Sequence, residues 1–159
     1  SFREDEFEEP EYLSVINTDN HESYPSITGE GTLYFNSDRP GGLGSMDIYR
    51  AECDDNGFEI PVLVSNLNST DSENDLAISP DEQFMILNRY HFDSGEISMY
   101  VSYPEEGEWT TPTLIKEVNQ KGKWELTPTF SPEGRFLFFE LDGKIKTVNM
   151  DTLFKDSRN

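Results

Sequence analysis

Short runs of β-branched and aromatic residues alternate along this chain with tight clusters of Gly, Pro, Asp and Asn. The clearest runs are TLYFNS, DIYRAE, FMILNRY, ISMYVS and FLFFEL, and the clearest breaks are TGEG, SPDE, SPEG, DDNG and EEG. The runs are strand-sized, and the residues between them supply the backbone geometries that tight turns require. A sustained helical apolar period is missing, apart from a short turn near Thr152 to Lys155. The pattern predicts an all-β chain.

The pattern also repeats. ESYPSITGEGTLYF begins at Glu22, ENDLAISPDEQFMI at Glu73 and ELTPTFSPEGRFLF at Glu125, at spacings of 51 and 52 residues. A second element keeps the same register: Pro10, Pro61 and Pro112 lie 51 apart, as do Asn17, Asn68 and Asn119, with EYLSVIN, VLVSNLN and TLIKEVN between them. Phe58 and Trp109 match at the same spacing. A unit of about 50 residues with about four short strands is the size of a propeller blade.

The repeat decides what to make of NSDRPGGLGSMDIY at positions 36–49. Its glycines suggest a phosphate loop, yet they precede a strand rather than a helix and do not fit G-x-G-x-x-G. The equivalent connection in the second copy is YHFDSGEI, and in the third it shrinks to an Asp-Gly hairpin within ELDGKIKTV. Position 36–49 is therefore expected to be a sheet corner.

Composition narrows the partners. The 159 residues carry 12 basic and 32 acidic side chains, a net charge of −20, with 13% aromatic residues that argue for a packed core. Such acidity repels nucleic acid and anionic membranes and suits basic partners, cations or plain solubility. Membrane insertion is not expected, because the longest apolar run found is four residues, Phe136 to Phe139. The single cysteine, Cys53, supports neither an internal disulfide nor a cysteine zinc site. Ser1 in place of methionine is expected either of a processed product or of a segment cut out for expression.

The chain resembles the WD40-like propeller repeats of the PD40 type, found in TolB-like and OmpA-associated exported proteins of Gram-negative bacteria. SPDE and SPEG carry the resemblance, with the acid-x-x-Pro lead-ins at Glu22–Pro25 and Glu125–Pro128, LYFNSDRPGGLGSMDIY, and the outer-strand signature Trp109, Pro112, Leu114 and Asn119. It spans roughly residues 7 to 150. Two departures stand out: Leu76 replaces the lead-in proline of the second copy, and the third copy lacks DIY. The resemblance implies a periplasmic or exported protein, in a family whose roles are diverse.

The expected organisation is a single propeller segment over 1–159. An outer strand at 7–17 completes another blade, blades follow at 18–67 and 68–118, and a third at 119–151 lacks its outer strand. Three blades are too few to close a ring. Either two copies join head to tail as a six-bladed homodimer, each lending its outer strand to the other, or the chain belongs to a longer six-bladed protein.

The candidate site residues follow from the repeat. Glu22, Glu73 and Glu125 recur before the innermost strands, where they would ring the channel and bind Ca²⁺ or a basic partner. Alternatively each acid accepts backbone amides or pairs with Arg39 or Arg89. His21, Asp71, Asp75 and Trp124 are the distinctive members of the inter-blade loops NTDNHESY, NSTDSEND and NQKGKWEL. DSEND looks like a calcium loop but lacks the glycine at its sixth position.

No catalytic residue is assigned: G-x-S-x-G is absent, and the two histidines, His21 and His91, lie 70 residues apart. The leading expectation is a non-enzymatic exported module without a cofactor that binds a macromolecular partner or glycan through the channel face. The alternative is a carbohydrate-active or metal-dependent lyase or hydrolase on the same scaffold. A pair of isolated, partly buried carboxylates, or a histidine–acid cluster, in the channel mouth would mark the alternative.

Overall fold

A computed structural model describes residues 9–153. Within it the chain is all-β, built from antiparallel sheets with one four-residue helix. The first sheet comprises β1 (Glu22–Ile27), β2 (Leu33–Ser37) and β3 (Asp47–Ala51). A small hairpin follows, β4 (Cys53–Asp54) with β5 (Gly57–Phe58), and β6 (Val62–Leu63) returns to the far edge of β3. The second sheet repeats this plan. It consists of β7 (Ser72–Ile78), β8 (Met85–Tyr90) and β9 (Ile97–Ser102), then the hairpin β10 (Pro104–Glu105) and β11 (Glu108–Trp109), and the edge strand β12 (Thr113–Leu114). The third has β13 (Glu125–Phe130), β14 (Phe136–Leu141) and β15 (Lys144–Asn149), and the helix α1 (Met150–Leu153) follows instead of an edge strand.

Successive sheets pack face to face, with β1 beside β7 and β7 beside β13. Between the first two sheets lie Tyr34, Ile48, Leu67, Leu76, Met85 and Leu87, all buried. Trp109 joins them, meeting Tyr34 edge-on at 6.1 Å and donating its indole N–H to the tyrosine hydroxyl at 3.2 Å. Between the second and third lie Ile86, Met99, Val101, Leu137 and Phe139, sealed by Met150 and Leu153 of α1. Each fully buried side chain of this size contributes about 1.5–3 kcal/mol.

Two asparagines staple the sheets together. Asn36 donates to the Glu73 carbonyl at 2.8 Å, and its counterpart Asn88 to the Glu125 carbonyl at 2.7 Å. Every innermost strand is also bulged, between Ser23 and Ser26, Glu73 and Leu76, and Leu126 and Thr129. In the two copies with a lead-in proline, the residue before it is left-handed: Tyr24 at φ 50° and Thr127 at φ 51°.

The asparagine that ends each outer segment clips that segment to the third strand. Asn68 accepts the Ile48 amide at 2.7 Å and donates to the Ile48 and Val64 carbonyls. Asn119 does the same at Met99 and Ile115. The expected outer strand at 7–17 behaves differently. Phe7 and Glu8 lie outside the described residues, and 9–13 form no ladder, with no third strand beside them among the described residues. The turn that follows is nevertheless formed: Ile16 and Asn17 both donate their amides to the Leu13 carbonyl, and Ile16 is buried against Leu33, Phe35 and Tyr49.

Candidate functional site

Glu22 pairs with Ser37 at the end of β2, and Glu73 with Arg89 near the end of β8. The loops before the first strands and those joining second to third strands therefore share one end of the sheets. That end gathers most of the chemically distinctive side chains.

The glycine-rich stretch is the connection from β2 to β3, as its shrinking counterparts indicate. Asp47, 1% exposed, accepts the amides of Leu43 and Gly44, filling the loop with its own carboxylate. The loop also lies against the next sheet: Ser45 donates to the Asp71 carbonyl, and Glu73 to that of Met46. A Cβ on Gly44 would come within 1.8 Å of the Asp71 carbonyl oxygen, so only glycine fits.

The recurrent acids turn into their own loops rather than converging. Glu22 accepts the Thr18 amide and hydroxyl, and Glu73 those of Ser69. Arg39 reaches Glu22 at 3.1 Å and the Ile16 carbonyl at 2.7 Å, its guanidinium lying over the Phe35 and Tyr49 rings. Arg89 reaches Glu73 at 2.6 Å and the Leu67 carbonyl at 3.2 Å, over the Tyr100 ring. The two knots are alike, but Arg89 stands at the paired position in the ladder and Arg39 two residues beyond it. Burial would raise the Glu22 carboxyl, but the Thr18, Ser37 and Arg39 contacts outweigh it and hold the group low.

Glu125 is the exception. It is 1% exposed and accepts the Gln120 amide at 2.9 Å, while the ladder position of Arg89 is occupied by Leu141. Burial raises its carboxyl above the usual range, more than the hydrogen bonds lower it. A raised native value means the folded state holds the proton more tightly. Its stabilising contribution is thus complete below the unfolded value of 4.5 and is lost as pH climbs through the native one. Glu125→Gln, which keeps the acceptor for Gln120, is expected to raise the melting temperature at pH 7 and to leave it unchanged well below pH 4.5. A melting series against pH checks this.

The other candidates divide. His21 is exposed, tied by its backbone amide to Asp38. Trp124 is 52% exposed and stands over a shallow recess of about 230 Å³ with Lys123, Glu140 and Asp142. Asp75 is buried, accepting the Thr127 amide at 2.6 Å and the Asn88 amide group at 3.2 Å. Its charge raises the neighbouring Tyr24 phenol. There, where the bulges of the three first strands meet, a cleft of about 590 Å³ is lined by Tyr24, Pro25, Leu76, Pro128, Phe138 and Ile145.

A histidine–acid cluster is present, centred on a residue not among the expected site residues. His91 Nδ1 lies 2.8 Å from Asp71 Oδ2, and its Nε2 lies 3.0 Å from the Tyr100 hydroxyl. In the neutral imidazole with Nδ1–H donated to Asp71, Nε2 accepts the Tyr100 hydroxyl, whose phenol is raised by burial. Burial would raise Asp71, but the Phe92 amide and His91 pull it down. Both imidazole nitrogens are thereby used. Ser72 pairs with Tyr90, so the β7–β8 register brings Asp71 beside His91, a juxtaposition that residue spacing alone does not show.

Three large apolar side chains stand exposed on loops of this same end: Leu43 at 51%, Phe92 at 54% and Trp124 at 52%. Among the described residues, no three His, Cys, Asp or Glu side chains converge as metal ligands, and no helix is long and apolar enough to cross a membrane. No family model matches the chain, and no relative was found among curated proteins.

Proposed function

We propose that this chain is half of a six-bladed PD40-type propeller, and that it is an exported, non-enzymatic module binding a macromolecule or glycan through its loop face. The carrying observation is the exposure of Leu43, Phe92 and Trp124 on three separate loops at one end of the sheets. Loops on a rigid scaffold are where binding residues concentrate, and large aromatic side chains supply most binding energy. The net charge of −20 favours a basic or neutral partner over nucleic acid. Export rests on the family resemblance alone.

The enzymatic alternative draws less support from the same geometry. A general base needs an atom open to substrate. His91 has both nitrogens engaged, Glu22 and Glu73 are tied to arginines, and Asp75 is bound by Thr127 and Asn88. Glu125 has the raised carboxyl, but it is enclosed. No cofactor is assigned. Calcium takes six to eight oxygens, and the recurrent acids do not share a centre.

Trp109 is buried and Trp124 exposed, so fluorescence reports binding at the loop face. Titration with a panel of neutral oligosaccharides and a basic polypeptide is expected to give a saturable change without turnover. Trp124→Ala is expected to weaken binding by about 2 kcal/mol, the scale of an aromatic anchor. Release of new reducing ends from a glycan, or no binding across the panel, overturns the proposal.

A further inference from the structure

The third sheet carries the imprint of a segment that the other two sheets already hold. In register, Ile48 pairs with Asn36, Met99 with Asn88 and Ile145 with Glu140, so Ile48, Met99 and Ile145 are equivalent. The first two are 0% exposed and have their backbone amide and carbonyl clipped by Asn68 and Asn119. Ile145 is 73% exposed, and no side chain clips its backbone among the described residues. The same holds one strand away: Tyr34 and Ile86 are 2% and 0% exposed, while Phe138 is 37% exposed.

The matching segment stands at the other end of the row of sheets. Leu13 is equivalent to Val64 and Ile115, and Asn17 to Asn68 and Asn119. Val64 and Ile115 are 7% and 2% exposed and donate their amides to the carbonyls of Ile48 and Met99. Leu13 is 40% exposed, with Tyr12 at 72%. The Leu13 turn is already closed and Ile16 already seated on the first sheet, so little ordering remains on docking.

We propose that a second copy of this chain supplies residues 10–17 to the edge of β15 that is unpaired among the described residues, with Asn17 clipping Ile145, and that the exchange is reciprocal. This rests on the reading of the chain as half a propeller. The two surfaces lie on the first and third sheets, and the second sheet packs between them. The register of β3 with β6 and of β9 with β12 places Tyr12 opposite Lys146 and Glu11 opposite Thr147. Charge fits as well. β15 carries Lys144 and Lys146 in a chain of 12 basic and 32 acidic residues, and the incoming segment carries Glu11, with Glu9 just before it. An uncovered edge strand is otherwise a template for aggregation.

Light scattering on the wild-type chain is expected to give twice the 18.3 kDa mass. Asn17→Ala removes two hydrogen bonds across each interface and is expected to weaken self-association about 100-fold, with an unchanged circular dichroism spectrum. In a Cys53→Ser background, Tyr12→Cys with Lys146→Cys is expected to give a covalent dimer on mild oxidation, which neither single variant gives. A monomeric wild type overturns the proposal, and so does a dimer that ignores Asn17→Ala and fails to cross-link. A monomer that still shows the saturable Trp124 signal leaves loop-face binding standing, and a cross-linked dimer without that signal removes only the binding function.

Discussion

Replacing Arg89 with methionine is expected to cost about 3–5 kcal/mol, the penalty for leaving one member of a buried ion pair without its partner. Glu73 is 0% exposed and depends on Arg89 at 2.6 Å, the Ser69 amide and the Ser69 hydroxyl. Arg89 does a second task in tying the outer turn to the first strand through the Leu67 carbonyl. Urea denaturation measures the loss. Adding Glu73→Gln to Arg89→Met should recover a large part of it, because the uncompensated charge is then gone. A loss under about 1 kcal/mol in the single variant would place this pair with ordinary surface ion pairs and contradict the knot.

The second large effect is at Ile86. Its side chain fills the space between the second and third sheets beside Met99 and Leu137, and Ile86→Ala is expected to cost about 2–5 kcal/mol. Phe138 occupies the equivalent ladder position on β14 but is 37% exposed. In the Asn17→Ala background, where the chain is expected to be monomeric, Phe138→Ala should change stability by less than about 1 kcal/mol. Urea denaturation of both variants makes the comparison. Equal losses would mean that the third sheet is already covered within one copy.

The architecture was legible because each level of the sequence pointed the same way. TLYFNS, FMILNRY and FLFFEL became β2, β8 and β14, and the turns at TGEG, SPDE and SPEG join them to the strands before. The asparagines at 51-residue spacing proved to be side-chain clips, a role that spacing alone does not reveal but that the repeat made visible as positions to inspect. The segment before Asn17 looked like a strand because its composition matches β6 and β12. A strand needs a neighbour to complete its ladder, and composition does not report whether one is present.

The site was less legible. Glu22, Glu73 and Glu125 read as equals, yet Arg39 and Arg89 enter from different ladder positions and Leu141 leaves Glu125 without an arginine. Glu73 and Glu125 are equally buried, so the arginine partner, not residue type, separates them. His91 showed no ligand spacing, and its partnership with Asp71 and Tyr100 emerges only once the β7–β8 hairpin register is fixed. Leu43 and Phe92 lie in equivalent connections of different length, so the repeat aligned the loops without aligning these two residues or marking them as exposed.

The most direct test of the repeat and its closure compares three amides in one hydrogen-exchange experiment: Ile48, Met99 and Ile145. The first two are held by asparagine side chains within the chain. If a second copy completes the third sheet, the Ile145 amide exchanges as slowly as the other two, and Asn17→Ala selectively releases it. Fast exchange at Ile145 in the wild-type chain, with Ile48 and Met99 protected, would contradict closure and leave β15 an open edge.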